Sequence, residues 1–144
     1  MPLLNYTTKV EAIKTVYEIQ GILASHGAKT ILINYANDSS IESLSFQVDT
    51  PHGMLGIRLP VDPDAAMKVL DKQKVPPRYK TKPQAIRIAW RILKDWVEAQ
   101  MAILETEMVR MEQIFLPYII SSKTGQTVYE LLEQRHFLIG EGDK

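Results

Sequence analysis

The stretch PQAIRIAWRILKDWVEAQMAILETEMVRMEQIFL, residues 83–116, organises the reading of this chain. It contains no internal Gly or Pro, and its apolar residues recur at steps of three and four: Ile86, Trp90, Leu93, Val97, Met101, Leu104, Met108, Met111 and Phe115. That period predicts one continuous helix over 82–116, roughly 50 Å long at about 1.5 Å per residue. Thr81 and Gln84 have capping-box spacing, Pro83 suits a first turn, and Pro117 ends or bends the helix. Ile88, Ile92, Trp96, Ala99 and Ile103 add a second stripe in the N-terminal half alone. The first half is therefore expected to be buried on two sides. The second half, with one seam, needs a cover from the C-terminal tail or from a second copy of the chain.

Outward from this helix, the alternation changes to period two. KTILINY (29–35) is rich in β-branched residues. In SIESLSFQVD (40–49), Leu44, Phe46 and Val48 alternate with Ser43, Ser45, Gln47 and Asp49. MLGIRLPV (54–61) repeats the pattern with Leu55, Ile57, Leu59 and Val61 inward, and Pro60 favours an edge position or the strand's end. Turn chemistry at 37–40 and 50–53 joins the three strands. Before them, Thr8 and Glu11 suggest a capping box for a helix running to about His26, with Val10, Ile13, Val16, Tyr17 and Leu23 buried and Gly27 at its C-terminus. After them, Asp62-Pro63-Asp64 starts a helix to about Gln73, with Ala66, Val69 and Leu70 inward. VPPRYKTK (75–82) reads as an extended linker. Thr127 and Glu130 cap a last short helix bearing Val128, Leu131 and Leu132. The class is α+β: α-β-β-β-α with a three-stranded antiparallel sheet, then one long helix and a short C-terminal helix. We expect a single domain over 1–136, with 137–144 a flexible tail.

Composition bounds function. With 144 residues, 45% hydrophobic and 24% charged, the chain suits a globular domain with a real core. The absence of cysteine excludes disulfides, thiolate metal sites and cysteine nucleophiles, and fits a reducing compartment. The first residues lack a basic region before an apolar run, so no signal peptide is expected. No uncharged stretch approaches the ~20 residues of a membrane span, and no membrane partner is expected.

The zero net charge hides a segregation. Between Lys68 and Lys94 nine basic residues face a single acid, Asp71, a local net of +8 balanced by −8 elsewhere. Such asymmetry points to an anionic partner. Nucleic acid requires cations for phosphates and flat groups for bases. Lys72, Lys74, Arg78, Lys80 and Lys82 supply the cations around Tyr79, a candidate stacker. Arg87, Arg91 and Lys94 extend them along one helix face at i, i+4 and i+7. The plainer reading is a solvated charged face, partly neutralised by Glu98 and by acids elsewhere. Ser43, Ser45, Gln47 and Arg58 on the outer sheet face either extend the surface or are simply its wet side.

The remaining constellations carry less. Trp90 and Trp96 fall on apolar stripes, so packing outweighs base stacking. Met101, Met108 and Met111 fill an ordinary helix interface or form an adaptable partner groove. His26, His52 and His136 lack ligand spacing, and Glu105, Glu107 and Glu112 lack an E-x-x-H companion. Ser39, Ser40, Ser121 and Ser122 have no nucleophile elbow, and Gly53 with Gly56 makes no phosphate loop. No enzyme activity, cofactor or metal is expected.

The segment AWRILKDWVEAQMAILETEMV with the following IFLPYI, and the N-terminal NYTTKVEAIKTVYEIQGILASHGAKTILINY, are similar to a group of small uncharacterised proteins of bacteriophages, prophages and other mobile elements. The resemblance covers most of the chain and carries no functional residue with it. It implies the cytoplasm of a bacterial host. The order α-β-β-β-α is also that of the double-stranded-RNA-binding domain. That domain begins its last helix with lysines, and this chain has acidic Asp62-Pro63-Asp64 there. The leading expectation is a non-enzymatic nucleic-acid-associated accessory protein, binding DNA or RNA through residues 68–94. The alternative is a protein–protein module, an adaptor or inhibitor of a host or phage protein, forming a homo-oligomer through the long helix.

Overall fold

A computed structural model describes residues 1–138 of the chain. Its elements are α1 (Ala12–Ser25), β1 (Ala28–Tyr35), β2 (Ile41–Thr50), β3 (Gly53–Arg58), α2 (Pro63–Lys72), a 3-10 turn (Pro77–Tyr79), α3 (Lys82–Glu105), α4 (Met111–Ile114), a second 3-10 turn (Leu116–Tyr118) and α5 (Val128–Gln134). This is the α+β order expected, with a three-stranded antiparallel sheet in the order β1-β2-β3. The chain, read from its sequence as one domain over 1–136, divides into two compact units. One comprises Met1–His26 and Pro60–Glu105; the other comprises Gly27–Leu59 and the chain from Thr106 onward. Of the expected tail, residues 139–144 lie outside the described part.

The first unit is helical. α3 packs against both α1 and α2. Ala66, Leu70 and Val75 meet Ala85, Ile88 and Ala89, with Leu3, Tyr6, Val61, Met67 and Ile92 around them. Asp62 caps α2 as expected, its Oδ1 accepting the Ala65 N–H at 3.1 Å with Pro63 in the first turn. Thr81 Oγ1 likewise accepts the Gln84 N–H at 3.2 Å. The Gln84 side chain does not complete a capping box. It is buried and donates to the Tyr6 and Thr8 carbonyls at 3.0 and 2.9 Å, tying the N-terminal segment down.

α1 departs from its expected face. Its buried residues are Thr15, Val16, Ile19 and Leu23, whereas Ile13 and Tyr17 are 67% and 75% exposed. Thr8 Oγ1 accepts from Val10 N rather than capping the helix, so α1 starts one turn late at Ala12 and the expected capping box is absent. Gly27, at φ +104°, takes the left-handed position after the helix. Val69 on α2 is also outward, at 38% exposure.

The second unit holds the sheet. Leu44, Phe46, Val48 and Ile57 are buried while Glu42, Gln47 and Asp49 are exposed, the two-residue alternation of a sheet with one covered face. The ring of Phe115 meets Phe46 edge-on, centroids 5.6 Å apart. Residues 119 and 120 lie beside β3: Ile119 bridges Ile57, and the Ile120 N–H donates to the Gly56 carbonyl at 2.8 Å. The capping box of α5 forms in full, Thr127 N to Glu130 Oε1 at 2.9 Å and Glu130 N to Thr127 Oγ1 at 3.2 Å.

The long helix is the main correction. It does not run over 82–116 but stops at Glu105. Glu107 is left-handed at φ 61°, Thr106 Oγ1 accepts the Met108 N–H at 3.3 Å, and Gln113 Oε1 accepts the Arg110 N–H at 2.9 Å to begin α4. A left-handed non-glycine residue costs roughly 1–2 kcal/mol. Burying one phenylalanine contributes roughly 1.5–3 kcal/mol, and an edge-on aromatic pair adds about 0.5–1.5 kcal/mol. Phe115 is fully buried against Phe46, so packing within the sheet unit outweighs continuing the helix. The seam expected of Met101, Met108 and Met111 goes with it: Met101 is buried on α3, Met108 is exposed in the turn, and Met111 opens α4.

Candidate nucleic-acid interface

The nine residues nominated from the sequence all belong to the helical unit, and the structure sorts them into two groups. Arg87, Arg91 and Lys94 share a side of α3, and each meets a carboxylate of the same unit. Arg91 Nη1 lies 2.6 Å from Glu18 Oε2 on α1 and donates to Thr15 Oγ1 at 3.3 Å. Arg87 Nε sits 3.8 Å from Glu11 Oε1, an ion-pair distance too long for a hydrogen bond. Lys94 pairs with Glu98 one turn on. These three side chains are only 17–25% exposed. The helix face expected to extend the positive surface is thus neutralised by carboxylates of α1 and of α3 itself.

The other group runs from the last turn of α2 to the first residue of α3. Lys72, Lys74, Arg78 and Lys82 are exposed and Lys80 is half-buried. Among the described residues, none of these five pairs with a carboxylate. The connector is not the extended linker expected, because Pro77–Tyr79 closes a 3-10 turn with the Lys80 N–H donating to the Pro77 carbonyl at 2.9 Å. That turn lays the Arg78 guanidinium 4.7 Å above the centroid of the Tyr79 ring. Tyr79 in turn packs edge-to-face on Tyr6, centroids 5.4 Å apart. Tyr6 was not legible as part of this site, since 73 residues separate it from Tyr79 and nothing in the sequence around it marks an aromatic partner. The result is a guanidinium-on-ring platform in a segment that carries four lysines, Lys72, Lys74, Lys80 and Lys82, and no acid between Lys72 and Lys82.

His26 stands apart from the cations, within the same unit. Its Nε2 lies 2.9 Å from Glu105 Oε1, and its Nδ1 faces the Ile22 carbonyl at 2.8 Å. The Glu105 carboxylate first, then the Ile22 carbonyl, hold its pKa above the ordinary histidine value, with burial opposing. This ties the C-cap of α1 to the last residue of α3. Among the described residues, no three His, Asp or Glu side chains gather as a metal set. None of the described helices is long and apolar enough to cross a membrane.

The sheet unit carries a second feature. A cleft of about 290 Å³ lies on the outer sheet face, lined by Thr30, Leu32 and Asn34 of β1, Ser45 and Gln47 of β2, Gly56 and Arg58 of β3, and Ile120. Ser45, Gln47 and Arg58 were expected on that face. Leu32 and Ile120 were not, because the outward turn of Leu32 breaks the polar pattern and Ile120 arrives from beyond the long helix. Arg58 is held in place by the Gly125 carbonyl at 3.1 Å and by Glu130 at 3.7 Å. No family model, curated protein or solved structure matches this chain.

Proposed function

We propose that the helical unit binds a nucleic acid, without catalysis, through the segment from Lys72 to Lys82. The observation that carries this is the contrast between the two cation groups. Arg87, Arg91 and Lys94 have internal carboxylates, whereas Lys72, Lys74, Arg78, Lys80 and Lys82 have none among the described residues and lie along the chain on both sides of Tyr79, whose ring is under the Arg78 guanidinium. Exposed, uncompensated cations attract phosphates, and Arg78 on Tyr79 offers a flat surface to an unstacked base. A single-stranded segment suits this better than a duplex groove, since the cations sit on a connector rather than along one helix.

The test is fluorescence anisotropy with single- and double-stranded DNA and RNA at low salt. Binding is expected, strongest for single strands, and is expected to disappear in the triple variant Lys74→Gln, Arg78→Gln, Lys82→Gln. No binding to any of the four at about 10 μM protein, well above typical specific affinities, removes the reading.

A second reading rests on α1. Ile13 and Tyr17, four residues apart, are 67% and 75% exposed on the same side of the helix. Large apolar side chains presented together suit a protein partner, the adaptor or inhibitor role. Pull-down with Ile13→Ser/Tyr17→Ser against wild type separates the two: a partner lost from that variant while anisotropy is unchanged assigns the function to α1.

A further inference from the structure

The sheet has one edge partly covered and one open. β3 is flanked by residues 119 and 120, through the Ile57–Ile119 bridge and the Ile120 N–H donating to the Gly56 carbonyl. β1 is the outermost strand on the other side, and among the described residues no backbone group bonds to its outer edge. Edges of this kind are usually guarded by a proline, by charge or by a bulge. β1 has its register shifts only at its ends, between Ala28 and Thr30 and between Asn34 and Tyr35. Residues 30–34 between them, TILIN, are regular, uncharged and free of proline. Leu32, at their centre, is 57% exposed on the outer face.

We infer that this edge pairs with the same edge of a second copy, antiparallel about Leu32, to make one continuous six-stranded sheet. The argument for a second copy over any other strand is the symmetry of the segment. About Leu32 the sequence reads the same in both directions by chemical type, so an isologous pair matches at every position. Leu32 meets Leu32 of the second copy, Thr30 meets Asn34 on the outer face, and Ile31 meets Ile33 on the inner face. Lys29 meets Tyr35, so the one charge of the strand never faces itself. The pairing also extends the cleft. Thr30, Leu32 and Asn34 line it from β1, the edge strand, and the second copy sets the same three side chains beside them. Five paired residues bury less than the ~800 Å² per partner of a standard interface, so association is expected only at about 100 μM or above. This inference is independent of the basic segment, which lies in the other unit.

The chain has no cysteine, so a single introduced one reports register directly. Facing residues of an antiparallel pair have Cβ atoms about 4.5–5.5 Å apart, close enough to oxidise with small adjustment. Under mild oxidant, Leu32→Cys should give a disulfide dimer, and at least about tenfold more of it than Thr30→Cys or Asn34→Cys alone. Mixing Thr30→Cys with Asn34→Cys should restore crosslinking between the two. In urea all three variants should behave alike. Leu32→Lys, at an exposed position, should abolish association by light scattering with unchanged circular dichroism. Equal crosslinking by Leu32→Cys and Asn34→Cys, a dimer that survives Leu32→Lys, or a strictly monomeric wild-type mass at about 500 μM would each overturn the inference.

Discussion

Arg91 Nη1 stands 2.6 Å from Glu18 Oε2, binding α3 to α1 with a cation that the sequence offers to phosphates. The pair is partly buried, at 19% and 34% side-chain exposure, and Arg91 also donates to Thr15. Its removal leaves Glu18 without its partner, a loss of roughly 1–3 kcal/mol for a charged hydrogen bond. Arg91→Ala should therefore lower stability by about that amount in urea titration while leaving nucleic-acid affinity at fixed salt within about threefold. A tenfold loss of affinity in a variant that remains folded would place the guanidinium on the ligand.

The salt dependence of binding distinguishes the two cation groups. For duplex DNA the slope of log K against log salt is about −0.9 per phosphate contacted. The five uncompensated residues give at most about −4.5, whereas engagement of Arg87, Arg91 and Lys94 as well would give about −7. For a single strand the ceiling with five contacts is about −3.5. Anisotropy titrations between about 50 and 200 mM salt resolve these values. A slope steeper than the five-contact ceiling would show that the internal pairs open on binding.

His26 makes stability depend on pH. Its folded pKa is raised by Glu105 and the Ile22 carbonyl, so the folded state binds the proton more tightly than the unfolded chain does. The contribution is fully present below the unfolded value of about 6.5 and is lost as pH rises through the higher folded value. The melting temperature of the wild type should fall across that window, and that part of the profile should be flat in His26→Gln. A wild-type curve that rises through the same window would contradict the assigned Glu105 contact.

The break after α3 depends on Phe115. Phe115→Ala removes a fully buried ring from its edge-on partner Phe46 and should cost about 3–5 kcal/mol. Glu107→Gly, at φ 61°, should be neutral or stabilising by up to about 1 kcal/mol, the reverse of glycine inside a helix. If chemical denaturation shows Glu107→Gly destabilised by about 1 kcal/mol, the helix continues through residue 107 in solution.

The elements legible in the sequence are those whose cause lies within a few residues. Asp62 reaches Ala65, Thr127 and Glu130 bond each other, and the alternation of Leu44, Phe46 and Val48 needs only the two-residue period of a strand. The misread ones have causes far along the chain. Nothing near Glu105 ends a helix, yet Phe115 is drawn to Phe46, 69 residues before it. Ile13 and Tyr17 look apolar enough to be buried, but α1 turns Thr15 and Ile19 inward instead.

The candidate site divides along the same line. The sequence by itself determined that nine cations gather between Lys68 and Lys94 against one acid, because charge and order along the chain are covalent facts. Only the tertiary structure decided which of them remain available. Glu11, just before α1, and Glu18, on it, stand 76 and 73 residues before Arg87 and Arg91, and an ion pair requires that its two members be within a few ångströms in space, whatever their separation in sequence.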